Sequence, residues 1–193
     1  MPTDLNNLES MFLSNRYRAE FLEKRMIFLW GVVEDNSAKE ITQQLLFLES
    51  QAPGKEIRFY INSPGGVVTA GMVIYDTMQM ISSPVTTICL GLAASMGAIL
   101  LSGGEKGKRL IFPSGRVMIH QPSVGQIFGQ ASDIQIQAKE MARTKDMGAK
   151  VLAKNCGKSV EAILRDFDRD FWMNAEESVQ YGIVDSITTQ IPF

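Results

Sequence analysis

The stretch from Ile57 to Leu90 reads IRFYINSPGGVVTAGMVIYDTMQMISSPVTTICL. Its apolar start, Ile57 to Ile61, predicts a buried strand, and the segment Asn62 to Gly66 is a dense turn signal. Residues 69–81 have helical spacing, Pro84 ends that pattern, and 85–90 predicts a second strand. A strand, a helix and a strand in this order imply a parallel pair joined by a right-handed crossover, and hence an α/β fold.

The segments on either side extend the same alternation. On the amino-terminal side, the sequence predicts a strand over Arg25 to Val33 and a helix over Ser37 to Gln51. On the carboxy-terminal side, it predicts a turn over Gly91 to Ala94, a helix beginning near Ser95, and strands over Arg109 to Phe112 and Arg116 to Ile119. The sheet is therefore expected to be mostly parallel.

The last third of the chain is more helical. Ser132 and Gln135 have the spacing of a capping box, which predicts a helix from Ser132 to about Lys154 with Ile134, Ala138, Met141 and Ala142 on one side. Asn174 and Glu177 repeat the signal, Gly182 ends that short helix, and a last strand is expected over Ile183 to Ile187.

Composition limits the possible classes of protein. The chain has 193 residues, 45% of them hydrophobic, which is enough for one domain with its own core over residues 1–193. The 19 basic and 21 acidic residues give a formal charge of −2, and no basic region suited to nucleic acid is evident. The uncharged stretch from Val85 to Gly104 reads better as a strand, a turn and a helix than as a membrane span, because glycines and hydroxyl residues interrupt it.

The two cysteines, Cys89 and Cys156, are 67 positions apart and lie outside any CxxC motif. They are interpreted as plain thiols, and the start of the chain resembles neither a secretory signal nor a transit peptide. A cytoplasmic location is therefore predicted, with no cofactor and no metal site.

Ser95 is the first candidate for chemistry. It follows a predicted buried strand and begins a helix, where unpaired backbone amides and the helix dipole point towards the hydroxyl. The amide of Met96 could then stabilise an oxyanion. The alternative is an ordinary serine cap on an apolar helix. The segment does not have the GxSxG pattern of common hydrolases.

His120 is the chain's one histidine and stands at the end of a predicted strand. It is the natural base for a serine hydroxyl, although a structural histidine is the competing interpretation. A carboxylate would complete the set, and Asp166, Asp168 and Asp170 all compete because spacing alone does not choose. The Gly66 amide, in the double-glycine turn, could be a second oxyanion donor, against the alternative of an ordinary tight turn.

Five motifs occur in order: YINSPGGV at 60–67, TAGM at 69–72, IYDTM at 74–78, GLAASMG at 91–97 and RVMIHQP at 116–122. Together they resemble the ClpP family, the proteolytic subunits of Clp proteases, from about Arg25 to Ile187. The resemblance implies a ClpP/crotonase-like spiral of ββα units with a protruding handle helix.

The resemblance also implies roles for particular residues. Ser95 would be the nucleophile, His120 the general base and Asp170 the orienting carboxylate, with the Gly66 and Met96 amides as the oxyanion hole. Asp168 and Arg169 match a pair that bridges stacked rings in the family. The implied enzyme is a serine endopeptidase.

The assembly implied by the resemblance is a barrel of two stacked sevenfold rings that admits unfolded chains and peptides. An AAA+ unfoldase would use the ATP and dock on the outer face. Residues 1–24 would form the axial gating segment and first helix, and about 123–155 the handle region, with a glycine-containing segment at 125–129.

Two departures from the family pattern stand out. The amino-terminal segment differs from that of typical members, and Arg58 stands where an aromatic residue often lines the docking pocket, although Tyr60 is expected to remain available there. These departures raise the possibility of a barrel mixed with a related subunit. The alternatives in function are a catalytically quiet or regulatory subunit of such a barrel and, less favoured, a crotonase-like acyl-CoA enzyme.

Overall fold

A computed structural model describes residues 13, 16–123, 125 and 128–190. In this part of the chain, seven helices surround one seven-stranded sheet, which confirms the mixed α/β class. The helices are α1 at 16–23, α2 at Asp35–Gln51, α3 at Val68–Met80, α4 at Met96–Ser102, α5 at Ala131–Cys156, α6 at Val160–Asp166 and α7 at Ala175–Tyr181. The strands are β1 at Met26–Trp30, β2 at Ile57–Ser63, β3 at Val85–Ala94, β4 at Arg109–Ile111, β5 at Arg116–Ile119, β6 at Phe171–Met173 and β7 at Ser186–Ile187.

Strand β3 organises the sheet because it pairs with two different strands on the same side. Its first half pairs in parallel with β4, as in Thr87 with Arg109, and its second half pairs with β5, as in Ala94 with Met118. Gly91, between the two halves, has φ +80, a value that favours glycine. The prediction of a turn over Gly91 to Ala94 is therefore wrong, since the strand continues to the residue before Ser95.

The main core lies between the sheet and the helices that cover it. It collects buried side chains of the central strands and of α2, α3 and α4, including Ile27, Phe59, Ile74 and Leu100. Burial of such apolar surface is the main stabilising contribution to a domain of this size. Among the described helices, none is both long and apolar enough to cross a bilayer.

A second, smaller cluster centres on Tyr60, which packs with Met26 and Ile88. The Tyr60 ring is completely buried and stacks on Phe28 with 5.0 Å between ring centroids. The expectation that Tyr60 stays available for docking is therefore wrong for this chain. Arg58, two positions earlier on β2, instead directs its guanidinium to the Lys24 carbonyl oxygen at 2.7 Å.

The carboxy-terminal third differs from prediction in detail. Helix α5 begins one residue earlier than expected, and its capping box is formed by Gln130 and Asp133 instead of Ser132 and Gln135. The box at Asn174 and Glu177 and the left-handed cap at Gly182 are confirmed. The last strand is shorter than predicted, Ser186–Ile187, and α6 and β6 are not predicted from the sequence.

The last strand is held to the sheet by a buried ion pair. Arg109 on β4 donates to Asp185 through Nε at 2.9 Å and Nη2 at 2.5 Å, and the amides of Arg109 and Gly107 donate to the same carboxylate. Burial acts to raise the pKa of Asp185, but these hydrogen bonds and the charge of Arg109 outweigh it and hold the pKa below its usual value.

Two predicted regions fall largely or partly outside the described residues. The expected axial gating segment at 1–24 is described only at residue 13 and from residue 16 onward. Within the expected glycine-containing handle segment, residues 126 and 127 lie outside the description, as does residue 124 just before it.

Candidate active site

Ser95 occupies the single-residue turn between β3 and α4. Its backbone has φ 54 and ψ −119, a conformation that a non-glycine residue adopts at a cost of roughly 1–3 kcal/mol. Its N–H donates to the Met118 carbonyl oxygen at 2.8 Å, and its own carbonyl accepts from the Ala98 amide at 3.0 Å. Strand β5 and helix α4 thus hold the strained turn from both sides.

The hydroxyl of Ser95 does not cap the helix. Its side chain makes no capping hydrogen bond, and Oγ lies 2.9 Å from Nε2 of His120. The capping interpretation is therefore wrong. The strained backbone of Ser95 directs its hydroxyl towards the imidazole, which explains why the strain is tolerated here.

His120 follows directly after β5, and the parallel pairing of β5 with β3 brings it beside Ser95. Its Nδ1 lies 3.2 Å from Oδ1 of Asp170. When Nδ1 carries the ring proton, it donates a hydrogen bond to Asp170. Nε2 is then free to accept a hydrogen bond from the Ser95 hydroxyl. The three side chains then form one continuous hydrogen-bonded row, Asp170 to His120 to Ser95.

The structure separates the three competing aspartates. Strand β6 pairs antiparallel with β5, Ile119 opposite Phe171, so Asp170 lies across from His120. Asp166 instead accepts a hydrogen bond from the Tyr181 hydroxyl at 2.9 Å. Asp168 accepts one from Gln121 at 3.3 Å. Asp170 is the member of the three that contacts the imidazole.

The double-glycine turn packs directly against Ser95. Gly65 has φ +92, and a Cβ atom there would lie 2.6 Å from the Cβ of Ser95 and 2.9 Å from the Met96 nitrogen. Any side chain at position 65 would therefore displace the serine. The sequence predicts a role for Gly66 and not for Gly65, although the pair of adjacent glycines was the available signal.

The two predicted oxyanion donors are both unused as donors among the described residues. In the turn, Val33 donates to the Gly65 carbonyl at 2.8 Å and Val67 donates to the Val33 carbonyl at 2.8 Å, which leaves the Gly66 N–H free. Met96 is the first residue of α4, where an N–H has no partner within the helix. Both amides are thus able to donate to an incoming oxyanion.

Asp168 and Arg169 lie on the exposed loop before β6. Asp168 accepts two hydrogen bonds from the Gln121 side chain, at Oδ1 and at its carbonyl oxygen, and lies 3.8 Å from Lys145 Nζ on α5. Arg169 is exposed. The loop that carries Asp170 is therefore connected both to the residue after His120 and to the long helix.

Neither thiol is a competing nucleophile. Burial raises the pKa of Cys89 to about 12 and that of Cys156 to about 11, so both are protonated near neutral pH. Across the described part of the chain, no three His, Cys, Asp or Glu side chains lie close enough together to hold a metal ion.

The described residues thus form a mixed α/β protein in which a serine, a histidine and an aspartate make one hydrogen-bonded row. A family model described as Clp protease matches residues 11–191. The chain therefore belongs to the Clp protease family.

Proposed function

We propose that this chain is a serine endopeptidase in which Ser95, His120 and Asp170 form the catalytic triad. The observation that carries the proposal is the hydrogen-bonded row from Ser95 Oγ through both imidazole nitrogens to Asp170, at 2.9 and 3.2 Å. Membership of a peptidase family supports hydrolysis of peptide bonds.

In the proposed mechanism, His120 Nε2 takes the hydroxyl proton while Ser95 Oγ attacks the peptide carbonyl. The Gly66 and Met96 amides would hold the oxyanion, and Asp170 would stabilise the imidazolium. The imidazolium then protonates the leaving amine, and a water molecule releases the acyl group by the reverse proton path. No cofactor is needed for these steps.

The proposed setting is a barrel of two stacked sevenfold rings in the cytoplasm, fed with unfolded chains by an AAA+ unfoldase that uses the ATP. Asp168 and Arg169 would contribute to the contact between rings, and the exposure of both residues supports this role. The exposed apolar residues of α5, such as Ile134 at 42% exposure, support a handle that is covered on assembly.

A second candidate is a quiet or regulatory subunit in a barrel mixed with a related chain. The observation that favours it is Arg58, a cation engaged with the Lys24 carbonyl oxygen where apolar docking would be expected. Such a subunit would assemble but would not turn over substrate. The assembled Ser95–His120–Asp170 row favours the active peptidase over this candidate.

Reaction of the purified, assembled chain with a fluorophosphonate probe tests the proposal. The parent chain should be labelled and should cleave an unstructured peptide, whereas Ser95→Ala should do neither while its native mass is unchanged. Labelling that persists in Ser95→Ala would exclude Ser95 as the nucleophile. A parent chain that assembles but is never labelled would favour the quiet subunit.

A further inference from the structure

Ser63, the last residue of β2, is a fully buried serine directly before the double-glycine turn. Its Oγ accepts a hydrogen bond from the Gly65 N–H at 3.0 Å, and this bond is itself buried. An amide and a hydroxyl in such a place need partners, because leaving either without one is costly. The hydroxyl of Ser63 therefore acts on the turn that carries the Gly66 amide.

The pairing of β2 with β3 shifts immediately before Ser63. Ile61 lies opposite Cys89, whereas Ser63 lies opposite Ala93, so two steps along β2 correspond to four steps along β3. Irregular pairing of this kind changes the direction of side chains and is frequent next to active sites. The shift brings Ser63 beside the end of β3, which is the residue before Ser95.

The direction of the Gly66 N–H depends on the peptide group that joins Gly65 to Gly66. Because that group is planar and trans, its carbonyl and its N–H point in opposite directions. Its carbonyl accepts a hydrogen bond from the Val33 N–H at 2.8 Å. Two adjacent glycines offer little steric resistance to rotation of the group, since neither has a Cβ. Hydrogen bonds must therefore hold it in place.

Ser63 supplies the hydrogen bond at the other end of Gly65. The Val33 N–H holds the carbonyl of Gly65 and the Ser63 hydroxyl holds its amide, and of these two partners only Ser63 acts through its side chain. Ser63 also lies against the start of α4, where a Cβ atom on Gly97 would be 3.1 Å from the Ser63 carbonyl oxygen. The same residue thus borders both segments that carry the proposed oxyanion donors.

We infer that Ser63 is a positioning residue for the oxyanion hole, an inference that rests on the proposed peptidase function. Its hydroxyl keeps the double-glycine turn in the conformation in which the Gly66 N–H can donate to the oxyanion. Because Ser63 is buried, it acts through the turn and not by contact with substrate. Without the hydroxyl, the turn gains conformations in which the Gly66 N–H points elsewhere. The loss then falls on the transition state, where the oxyanion exists, and not on substrate binding.

Ser63→Ala tests the inference with a peptide substrate and with a peptide boronic acid of the same sequence. The kcat should fall on the order of tenfold, less than the roughly 10²–10³ that loss of an oxyanion donor costs, because the Gly66 amide is still present. KM should stay within about twofold of the parent value, since ground-state binding is unchanged. The boronic acid becomes tetrahedral when its boron bonds Ser95 Oγ, so its affinity should fall by about the same factor as kcat.

Two further variants separate this role from a general loss of stability. Ser63→Cys keeps the side chain in place but offers only a weak acceptor, so it should lower kcat without creating a cavity. Ser178→Ala is the matched control: Ser178 is equally buried, in α7, and its hydroxyl donates to the Asn174 carbonyl oxygen at 2.6 Å. Its loss should lower the free energy of unfolding about as much as Ser63→Ala does, with kcat and boronate affinity within about twofold of the parent values.

Several outcomes would overturn this inference and leave the proposed function standing. One is a parent chain that cleaves the peptide while kcat in Ser63→Ala and Ser63→Cys stays within about threefold of the parent value. Others are an equal loss of kcat in Ser178→Ala, a loss in Ser63→Ala that lies wholly in KM, or an unchanged boronate affinity in Ser63→Ala. A parent chain that assembles but neither cleaves the peptide nor binds the boronic acid would overturn both.

Discussion

Replacement of Asp170 by asparagine should strongly impair turnover without disturbing the fold. Asp170 is 59% exposed and its substitution to asparagine keeps the side-chain shape, so the free energy of unfolding should hardly change. The imidazole, in contrast, loses its anionic partner. An amide at position 170 can also donate to Nδ1. The ring proton would then lie on Nε2, and a protonated Nε2 cannot accept the proton of Ser95.

The magnitude follows from the distance between the two groups. Unit charges 3.2 Å apart interact with about 5 kcal/mol at an effective dielectric of about 20, which corresponds to on the order of 10⁴ in rate. Screening by water at this exposed carboxylate lowers the interaction energy. With complete screening, the effect on the rate would be about tenfold. We therefore expect kcat/KM to fall by about 10³ to 10⁴.

Asp166→Asn is the matched control for Asp170→Asn. Asp166 lies four positions earlier and accepts a hydrogen bond from Tyr181, which an asparagine oxygen can also accept. Its kcat/KM should stay within about threefold of the parent value, well below one kcal/mol in barrier. Initial rates on one fluorogenic peptide, with circular dichroism of both variants, would measure the difference. Equal losses in the two variants, or a loss below tenfold in Asp170→Asn, would refute the assignment of Asp170.

Four other predictions concern stability and reactivity. Asp185→Asn should lower the free energy of unfolding by about 3–5 kcal/mol in urea titrations, since it leaves the buried guanidinium of Arg109 without its charge partner; a loss below 1 kcal/mol would contradict this. Folding lowers the pKa of Asp185, so its carboxylate stabilises the folded chain above the pKa of the unfolded state, about 4, and this contribution is lost as the pH falls below that value. The parent chain should therefore lose more stability in acid than Asp185→Asn does. Cys89 should resist alkylation at pH 8 in the folded chain, because burial raises its pKa to about 12, and it should react once the chain is unfolded in urea. Rapid alkylation of the folded chain would show that the core around Cys89 opens to solvent. Ser95→Gly should be more stable than Ser95→Ala by about 1 kcal/mol, because glycine relieves the positive φ that alanine retains, and equal stabilities would show that the turn is not strained.

The sequence alone predicted the parts of the site that depend on local order. A serine between a strand and a helix, and a histidine at the end of a strand, were both visible as patterns. The choice among three aspartates was not, because it depends on the antiparallel pairing of β6 with β5, and β6 is a three-residue strand with no clear pattern of its own. The resemblance to the family implied Asp170, whereas the spacing left all three aspartates open.

The features that the sequence did not predict depend on contacts between distant segments. Gly65 matters because the turn after β2 approaches Ser95 at the end of β3. The segment Gly91 to Ala94 resembled a turn because it begins with glycine, yet its small residues continue β3 where β5 pairs with it. Tyr60 was expected at the surface of a docking pocket, but Phe28 covers it.

The most direct test of the account is to identify the residue that a fluorophosphonate modifies. The assembled parent chain would be labelled, digested and analysed by tandem mass spectrometry. The account predicts a phosphonylated Ser95 and no adduct on any other hydroxyl, with the adduct reduced at least 100-fold in a chain in which His120 is replaced by alanine. An adduct on a different residue, or equal labelling of Ser95 without His120, would contradict the claim that these side chains act together.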